Sequence, residues 1–422
     1  MTQETHLDPV GQALELAALR INGDRLHRRI ASLAAIGGLE GGGVSRLALT
    51  DADRAGRDQV VRWMQELDLE VSIDRIGNVV AVQRGTEALA PVVSGSHIDT
   101  VRAGGAFDGN LGVLAALEVI ATLSDAGIRT RRPLAVAFFT NEEGARFAPD
   151  MLGSAVQQGS LDLESALDAV DTEGLRLGDE LERIGYAGPA TPALEAHAFV
   201  ELHIEQGPRL DREGLTIGAV TGVQGISWTE VLLGGAANHA GTTPIALRND
   251  ACLVAAEITV ALRRIADDLG APQVATVGSL TLMPNLINVV AAHARLTLDL
   301  RNTDEAILLE AERRALAAVE ASATREGVQA SHRTLARFAP VAFNESVIST
   351  IEANAQILGH SVCRMPSGAG HDAQMFAPNC PSGMIFVPSI DGISHNICER
   401  TAPADIEAGA NVLLQTLISL AQ

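Results

Sequence analysis

Short, uniformly apolar runs alternate along this chain with longer amphipathic ones. Ala90-Pro91-Val92-Val93, Arg132 to Phe139 and Phe199 to Ile204 have strand length, and each leads directly into Gly-rich or polar residues. Runs of this kind are expected of strands buried on both faces. Leu111 to Leu123 is strongly apolar and reads as a helix that follows a Gly-rich loop. Val71 to Val82 alternates around Gly77-Asn78, the pattern of a hairpin. Upstream, about Gly11 to Glu70 reads as helical, with Leu14, Leu16, Leu19, Ile21, Leu26 and Ile30 on one imperfect apolar face and Arg57 to Leu67 giving another, and with the Gly41-Gly42-Gly43 run as a loop. Gly153 to Ala196 is polar and Gly-punctuated, and reads as helices with loops. Strands alternating with helices predict an α/β domain built on a largely parallel sheet.

After Leu215 the texture changes. Ile217 to Val220, Thr229 to Leu233, Ala275 to Leu282 and Ala294 to Leu300 read as strands, while Asp250 to Leu269 and Glu305 to Glu326 have the spacing of amphipathic helices. Helix, strand and loop texture then resumes at Ser346 to Leu358, Gly383 to Val387 and Asp405 to Leu420. Residues 218–332 therefore read as a smaller α+β domain inserted into a larger α/β domain made of 1–217 and 333–422. A length of 422 residues fits two cores better than one.

Composition narrows the partners. With 31 Lys+Arg against 52 Asp+Glu, the formal net charge is −21, which argues against nucleic acid and anionic membrane. Cys252, Cys363, Cys380 and Cys398 form no CxxC pair and read as free thiols in a reducing compartment. Met1 to His6 lacks the positive and apolar regions of a signal peptide, and no run has the length of a membrane span. The expectation is a cytoplasmic protein.

The chemistry concentrates where apolar runs end. Gly95-Ser96-His97-Ile98-Asp99 and Ala106-Phe107-Asp108-Gly109 follow the first strand, Asn141-Glu142-Glu143-Gly144 the second, and His203-Ile204-Glu205-Gln206 closes the third. These are the positions at which α/β sheets present groups to a ligand. Any one such residue alone is ordinarily a solvated carboxylate or a satisfied histidine. Together, His97, Asp108, Glu142, Glu143, His203 and His395 form an imidazole and carboxylate set without thiolate, suited to Zn, Mn, Co or Ni. Asp99, two residues beyond His97, is placed to orient it or its neighbourhood from behind. Asp108, flanked by glycine, can approach two cations at once. The adjacent Glu142 and Glu143 point to different sides, so one can ligate while the other remains free as a base toward water.

These residues match a known family. The sequence resembles the hydantoinase/carbamoylase amidases of the di-metal aminoacylase and carboxypeptidase group. It does so in GSHIDTVRAGGAFDGNLGVLAALE (Gly95 to Glu118), FTNEEGARF (Phe139 to Phe147), ELHIEQGP (Glu201 to Pro208), NHAGTTP (Asn238 to Pro244), SGAGHDA (Ser367 to Ala373) and GISHNICERT (Gly392 to Thr401), with Asn288 and Arg301 between them. The resemblance implies a metallopeptidase-like α/β catalytic domain whose inserted α+β domain serves as lid and dimerisation surface. It implies two divalent metal ions per subunit, with Asp108 bridging them, His97 and His203 on one, and Glu143 and His395 on the other. Glu142 would be general base and acid. Gln206, His239, Asn288, Arg301 and His371 would contact substrate, and Asp99 would support the ligands.

The implied reaction is hydrolysis of the ureido C–N bond of an N-carbamoyl-L-amino acid to the amino acid, ammonia and carbon dioxide, by a homodimer acting on a small molecule. His203 is similar to the amidase branch, where peptidase relatives usually have a carboxylate, and Gly222 to Trp228 looks more like the carbamoylases. Allantoate deiminase (allantoate amidohydrolase) is the nearest alternative, followed by β-ureidopropionase and an aminoacylase or dipeptidase on the same scaffold. A catalytically silent metal-binding scaffold is the alternative from a different class.

Overall fold

A computed structural model of the chain describes residues 16–189 and 194–422. Met1 to His6 and the start of the expected N-terminal helix, Gly11 and Leu14 included, lie outside them. The chain divides into two units, one running up to Thr221 and again from Phe343, the other comprising Gly222–Ala342.

The larger unit contains strands β1 (Glu70–Ile73), β2 (Val79–Gln83), β3 (Val92–His97), β4 (Leu134–Phe139), β5 (Ala198–Ile204) and β6 (Ile217–Val223). The smaller unit supplies β7 (Gly225–Gly234), β8 (Asn238–His239), β9 (Val274–Met283), β10 (Val289–Val290), β11 (His293–Asn302), β12 (Gln329–Phe338) and β13 (Val341–Ala342). The larger unit then resumes with β14 (Val362–Ser367) and β15 (Ser382–Val387).

The large sheet is ordered β1-β2-β4-β3-β5-β15-β6, with β14 also beside β6. Its centre is parallel: β3 pairs with β4 and β5, and β5 with β15. The flanks are antiparallel, β1 on β2, β2 on β4 and β6 on β15. The expected largely parallel sheet is thus a mixed one. A hairpin such as β1–β2 cannot place both of its strands parallel to the centre.

The helix Asn110–Asp125 packs on β3, β4 and β5 and against the helix Pro403–Leu420. Every residue from Asn110 to Leu123 is buried, which explains why that stretch is apolar all round. Glu118, inside this helix, is held by a bidentate Arg25 (2.7 Å to each oxygen) and by Arg29 at 3.3 Å, tying the helix Gly23–Ala34 to it.

Within the helical reading of about Gly11 to Glu70, the Gly41-Gly42-Gly43 run expected as a loop separates two helices. The described helices there are Gly23–Ala34 and Asp51–Glu66, capped by the side chains of Asn22 and Thr50. Between them Gly37, Gly41, Gly42 and Gly43 adopt positive φ, which ends helical propagation. This irregular stretch carries Arg46, whose fully buried guanidinium donates to the carbonyls of Ile98 (2.7 Å), Leu33 (2.9 Å) and Ile36 (2.8 Å) and to Asn110 Oδ1 (2.6 Å).

In the smaller unit an antiparallel sheet, β12-β7-β11-β9, packs against the helices Ala251–Leu269 and Glu305–Glu326. Alternate β11 residues Ala294, Leu296, Leu298 and Leu300 enter a core with Val254, Ile258, Leu262, Leu308, Ala311 and Ala315. Asp250 and Asp304 cap the two helices. β8 and β10 form a separate two-stranded ribbon. No helix among the described residues is long and apolar enough to cross a membrane.

Arg46→Met is expected to leave those carbonyls and Asn110 without a donor and to destabilise the protein by roughly 3 kcal/mol or more. Urea unfolding checks it: the midpoint falls and the slope stays the same.

Candidate metal centre

Three parallel strands end at one sheet edge, and each ends in a group able to bind a cation. β3 closes on His97, β4 leads through Thr140 and Asn141 to Glu142 and Glu143, and β5 carries His203. The loop after β3 then brings Asp108 to the start of the helix Asn110–Asp125. Gly109, at φ +64, makes the approach possible, because a Cβ there would lie 2.4 Å from the His97 ring. Its N–H also points at His203 Nε2, at 3.2 Å.

Asp108 organises the cluster. Its Oδ1 lies 3.2 Å from His203 Nε2 and 3.6 Å from His97 Nε2. Its Oδ2 lies 3.3 Å from His395 Nε2 and accepts from Gln206 Nε2 at 2.9 Å. One oxygen therefore faces each of two donor groups, His97–Asp108–His203 and Asp108–Glu143–His395.

The two glutamates separate as their adjacency suggested. Glu142 Oε2 is 3.3 Å from His97 Nε2, and Glu143 Oε2 is 3.3 Å from His395 Nε2. Asn141, at φ +57, turns the chain between β4 and this pair, and its amide donates to the carbonyls of Phe147 and Pro149. Gln206 and His395 also sit at positive φ, an unusual backbone state for such residues.

Both inner imidazoles are aimed by their far nitrogen. His97 Nδ1 lies 2.9 Å from the Asp99 carbonyl and His203 Nδ1 2.9 Å from that of Ile204. That arrangement puts each ring proton on Nδ1 and leaves the Nε2 lone pair for a cation. Asp99 supports this neighbourhood in two ways. It is the backbone carbonyl that orients His97, while the carboxylate accepts the N–H groups of Glu142 and Glu143, each at 3.3 Å.

The electrostatics fit a cation site. Burial pushes Glu142 well above the usual carboxylate range, and burial with the Asp108 charge lifts Glu143 to about 8. Asp108, despite burial, is held well below its usual value by His203, His395 and His97. Burial would lower His97, but Glu142, Asp108 and Asp99 outweigh it and raise it well above its usual value. Hydrogen bonding to Asp108 lifts His395 to about 9. So many acidic groups held close together repel one another, and divalent cations relieve that repulsion. The mixed nitrogen and oxygen donors suit Zn, Mn, Co or Ni.

His371 is buried, with Nε2 2.8 Å from Ser367 Oγ and its ring edge-on to His203 at 4.6 Å. Burial beside His203 holds it well below the usual histidine range, hence neutral. A third group, Glu201–His203–His371, also gathers here. Its donors are already engaged, since Glu201 accepts from Ser96 Oγ (2.6 Å) and Ala373 N–H (2.9 Å).

The sequence reading missed Glu201, Asp372 and Glu399. Glu201 left a signal: it stands two residues before His203 on β5 and so shares its face. Asp372 stood beside His371 within SGAGHDA, and Glu399 within GISHNICERT.

The remaining expected contacts lie in the smaller unit. His239 Nδ1 accepts from the N–H groups of Gly241 (3.0 Å) and Thr242 (3.2 Å), which leaves its proton on Nε2 as a donor. The Asn288 carbonyl accepts from Ala240 N–H at 2.9 Å, across the β8–β10 ribbon. Arg301 pairs with Asp299 through Nε and Nη2, at 2.9 to 3.2 Å, and lies over the Trp228 ring.

A family model described as peptidase family M20/M25/M40 matches residues 80–419. An N-carbamoyl-L-amino-acid amidohydrolase of Rhizobium meliloti is 40% identical over 405 residues, covering 96% of this chain and 97% of that protein. The allantoate amidohydrolase of Escherichia coli is 36% identical over 398 residues, covering 92% and 96%. A crystal structure of a hydantoinase/carbamoylase family amidase from Burkholderia multivorans superposes with a TM-score of 0.93 at 43% identity, covering 96% of this chain and 99% of that one.

Asp372 supplies a pH test. Burial, with Glu201 nearby, pushes its carboxyl up to about 8, against the smaller opposing pull of His97 and Ser154. Its unfolded value is about 4. Between those values the unfolded chain releases a proton that the folded chain keeps, so stability is lost as pH rises. In metal-free protein, Asp372→Asn should therefore shrink the drop in melting temperature from pH 5 to pH 8. A drop as large as in the wild type contradicts this account.

Proposed function

The chain belongs to peptidase family M20/M25/M40, on its hydantoinase/carbamoylase amidase branch, and we propose that it hydrolyses the ureido C–N bond of N-carbamoyl-L-amino acids. One water is consumed, and the products are the L-amino acid, ammonia and carbon dioxide. The observation that carries the reaction class is the separation of the adjacent glutamates. Glu143 joins His395 on one side of Asp108, and Glu142 stands beside His97 on the other.

Two divalent cations fit the donors: one on His97, His203 and Asp108, the other on Asp108, Glu143 and His395. We assign them as Zn2+, or Mn2+, Co2+ or Ni2+. A ureido carbonyl is a weak electrophile because two nitrogens donate into it, and bound cations supply the Lewis acidity that polarises it and acidifies water. Glu142 takes the proton of the attacking water and delivers it to the leaving nitrogen. Its burial raises its proton affinity well above that of an ordinary carboxylate, the direction that favours taking up a proton. Gln206 and the neutral His371 are assigned to the substrate's polar groups. His239, with its proton on Nε2, is assigned to the developing oxyanion, and Arg301 and Asn288 to the carboxylate. For Arg301 that role means sharing its guanidinium with Asp299.

Allantoate is the second reading, supported by the E. coli relative. Ammonia release from N-carbamoyl-L-methionine, allantoate and β-ureidopropionate, each with Mn2+, Co2+, Zn2+ or Ni2+, separates the readings. Release from none of them would point to a peptidase or a silent scaffold. Glu142→Gln is expected to retain both cations by elemental analysis and to lower ammonia release at least about 100-fold. Retained turnover in that variant would falsify the assignment.

We further assign a homodimer joined through the smaller unit, in a cytoplasmic setting that suits four unpaired cysteines. At the edge of its sheet, β9 carries no charged residue over Val274–Met283, and Val274, Leu280 and Met283 are exposed. Uncharged open edges of this kind invite pairing with a second copy. Leu280→Lys should shift the protein toward monomer in light scattering, and an unchanged mass removes β9 from the interface.

A further inference from the structure

We propose that Glu399 is a positioning residue that locks the loop carrying Asp108 to the loop carrying His395, and so fixes the cation group Asp108–Glu143–His395. The inference rests on the two-cation reading above. Glu399 is buried, at 4% exposure, and both of its oxygens are occupied. Oε1 accepts the backbone N–H groups of Phe107 (3.1 Å) and Asp108 (3.2 Å). Oε2 accepts from Ser394 Oγ at 3.1 Å. Ser394 immediately precedes His395, and its hydroxyl is also 3.2 Å from Asp108 Oδ2. A single carboxylate thus grips the backbone of one ligand and the neighbour of another, Asp108 and Ser394, 286 residues apart in sequence.

The seat is built for it. A Cβ on Gly105 would lie 2.0 Å from Glu399 Oε1, so any side chain at that position displaces the carboxylate. With its oxygens turned onto protein donors, Glu399 acts through Asp108 and His395 rather than as a ligand. Partners that hold metal ligands in this way typically change metal affinity roughly 10- to 100-fold when removed.

The test loads the full-length protein with Mn2+ and follows it by calorimetric titration and by the electron paramagnetic resonance signal of an exchange-coupled pair. Glu399→Ala is expected to keep one tight site, weaken the other by roughly 10- to 100-fold and lose the coupled signal at two equivalents. Glu399→Gln, whose amide oxygen still accepts both N–H groups, should keep both sites within a few-fold. Unchanged affinities in Glu399→Ala overturn the proposal, as does an equal loss at both sites. If Glu399→Ala does not fold, Gly105→Ala takes its place, moving the carboxylate without deleting it. The same selective loss supports the proposal, and two intact sites overturn it. Wild-type protein that takes up fewer than two Mn2+ defeats the two-cation reading itself, a result distinct from any difference between variants.

Discussion

Asp108 is the constraint on which the larger unit turns. A carboxylate buried among His97, His203 and His395, with one oxygen toward each of two donor groups, has to be placed by backbone and not by a flexible stem. The surroundings show how that is done. Gly109 lets the loop pass against the His97 ring, and Asn110 bonds back to the Asp108 carbonyl at 3.0 Å. Arg46 grips Asn110 at one end of the loop and Ile98 at the other. A buried guanidinium is costly to desolvate, so its persistence here needs the several acceptors it satisfies.

The same logic extends to the Glu142-Glu143 turn. The Asp99 carboxylate holds the two backbone N–H groups, and Asn141 supplies the left-handed residue that lets the two side chains diverge. A polar residue behind the ligands thereby decides which glutamate meets which imidazole. In the proposed reaction that division matters, because a base must remain near water without being consumed as a ligand. The smaller unit follows different rules: an ordinary antiparallel sheet and two capped helices present His239, Asn288 and Arg301 from strands and a ribbon. Arg301 is already bound to Asp299 and Trp228, so its guanidinium plane is preset.

Much of this was legible in the chain itself. Periodicity located the helices Ala251–Leu269 and Glu305–Glu326 and the central strands, because those elements bury one face or both and the pattern records it. The imidazoles and carboxylates that gather at the strand ends could be picked out as well, since the carboxyl edge of a parallel sheet is fixed by chain direction. The motif segments identified the family, as the 40% identical amidohydrolase agrees. Before Asp51 the Gly41-Gly42-Gly43 run marked a loop, as its positive φ values agree, but nothing periodic marked the irregular path that buries Arg46.

What the sequence determined by itself was therefore local: which residues are apolar, which can ligate, and which loop follows which strand. Tertiary structure alone decided the pairings. That Glu399 reaches the Asp108 backbone, that Arg46 spans the metal loop, and that the Asp99 carbonyl rather than its carboxylate aims His97 are matters of ångströms between distant segments. No periodicity encodes such distances, because they depend on how the sheet brings chain ends together and on which polar groups burial forces to find one another.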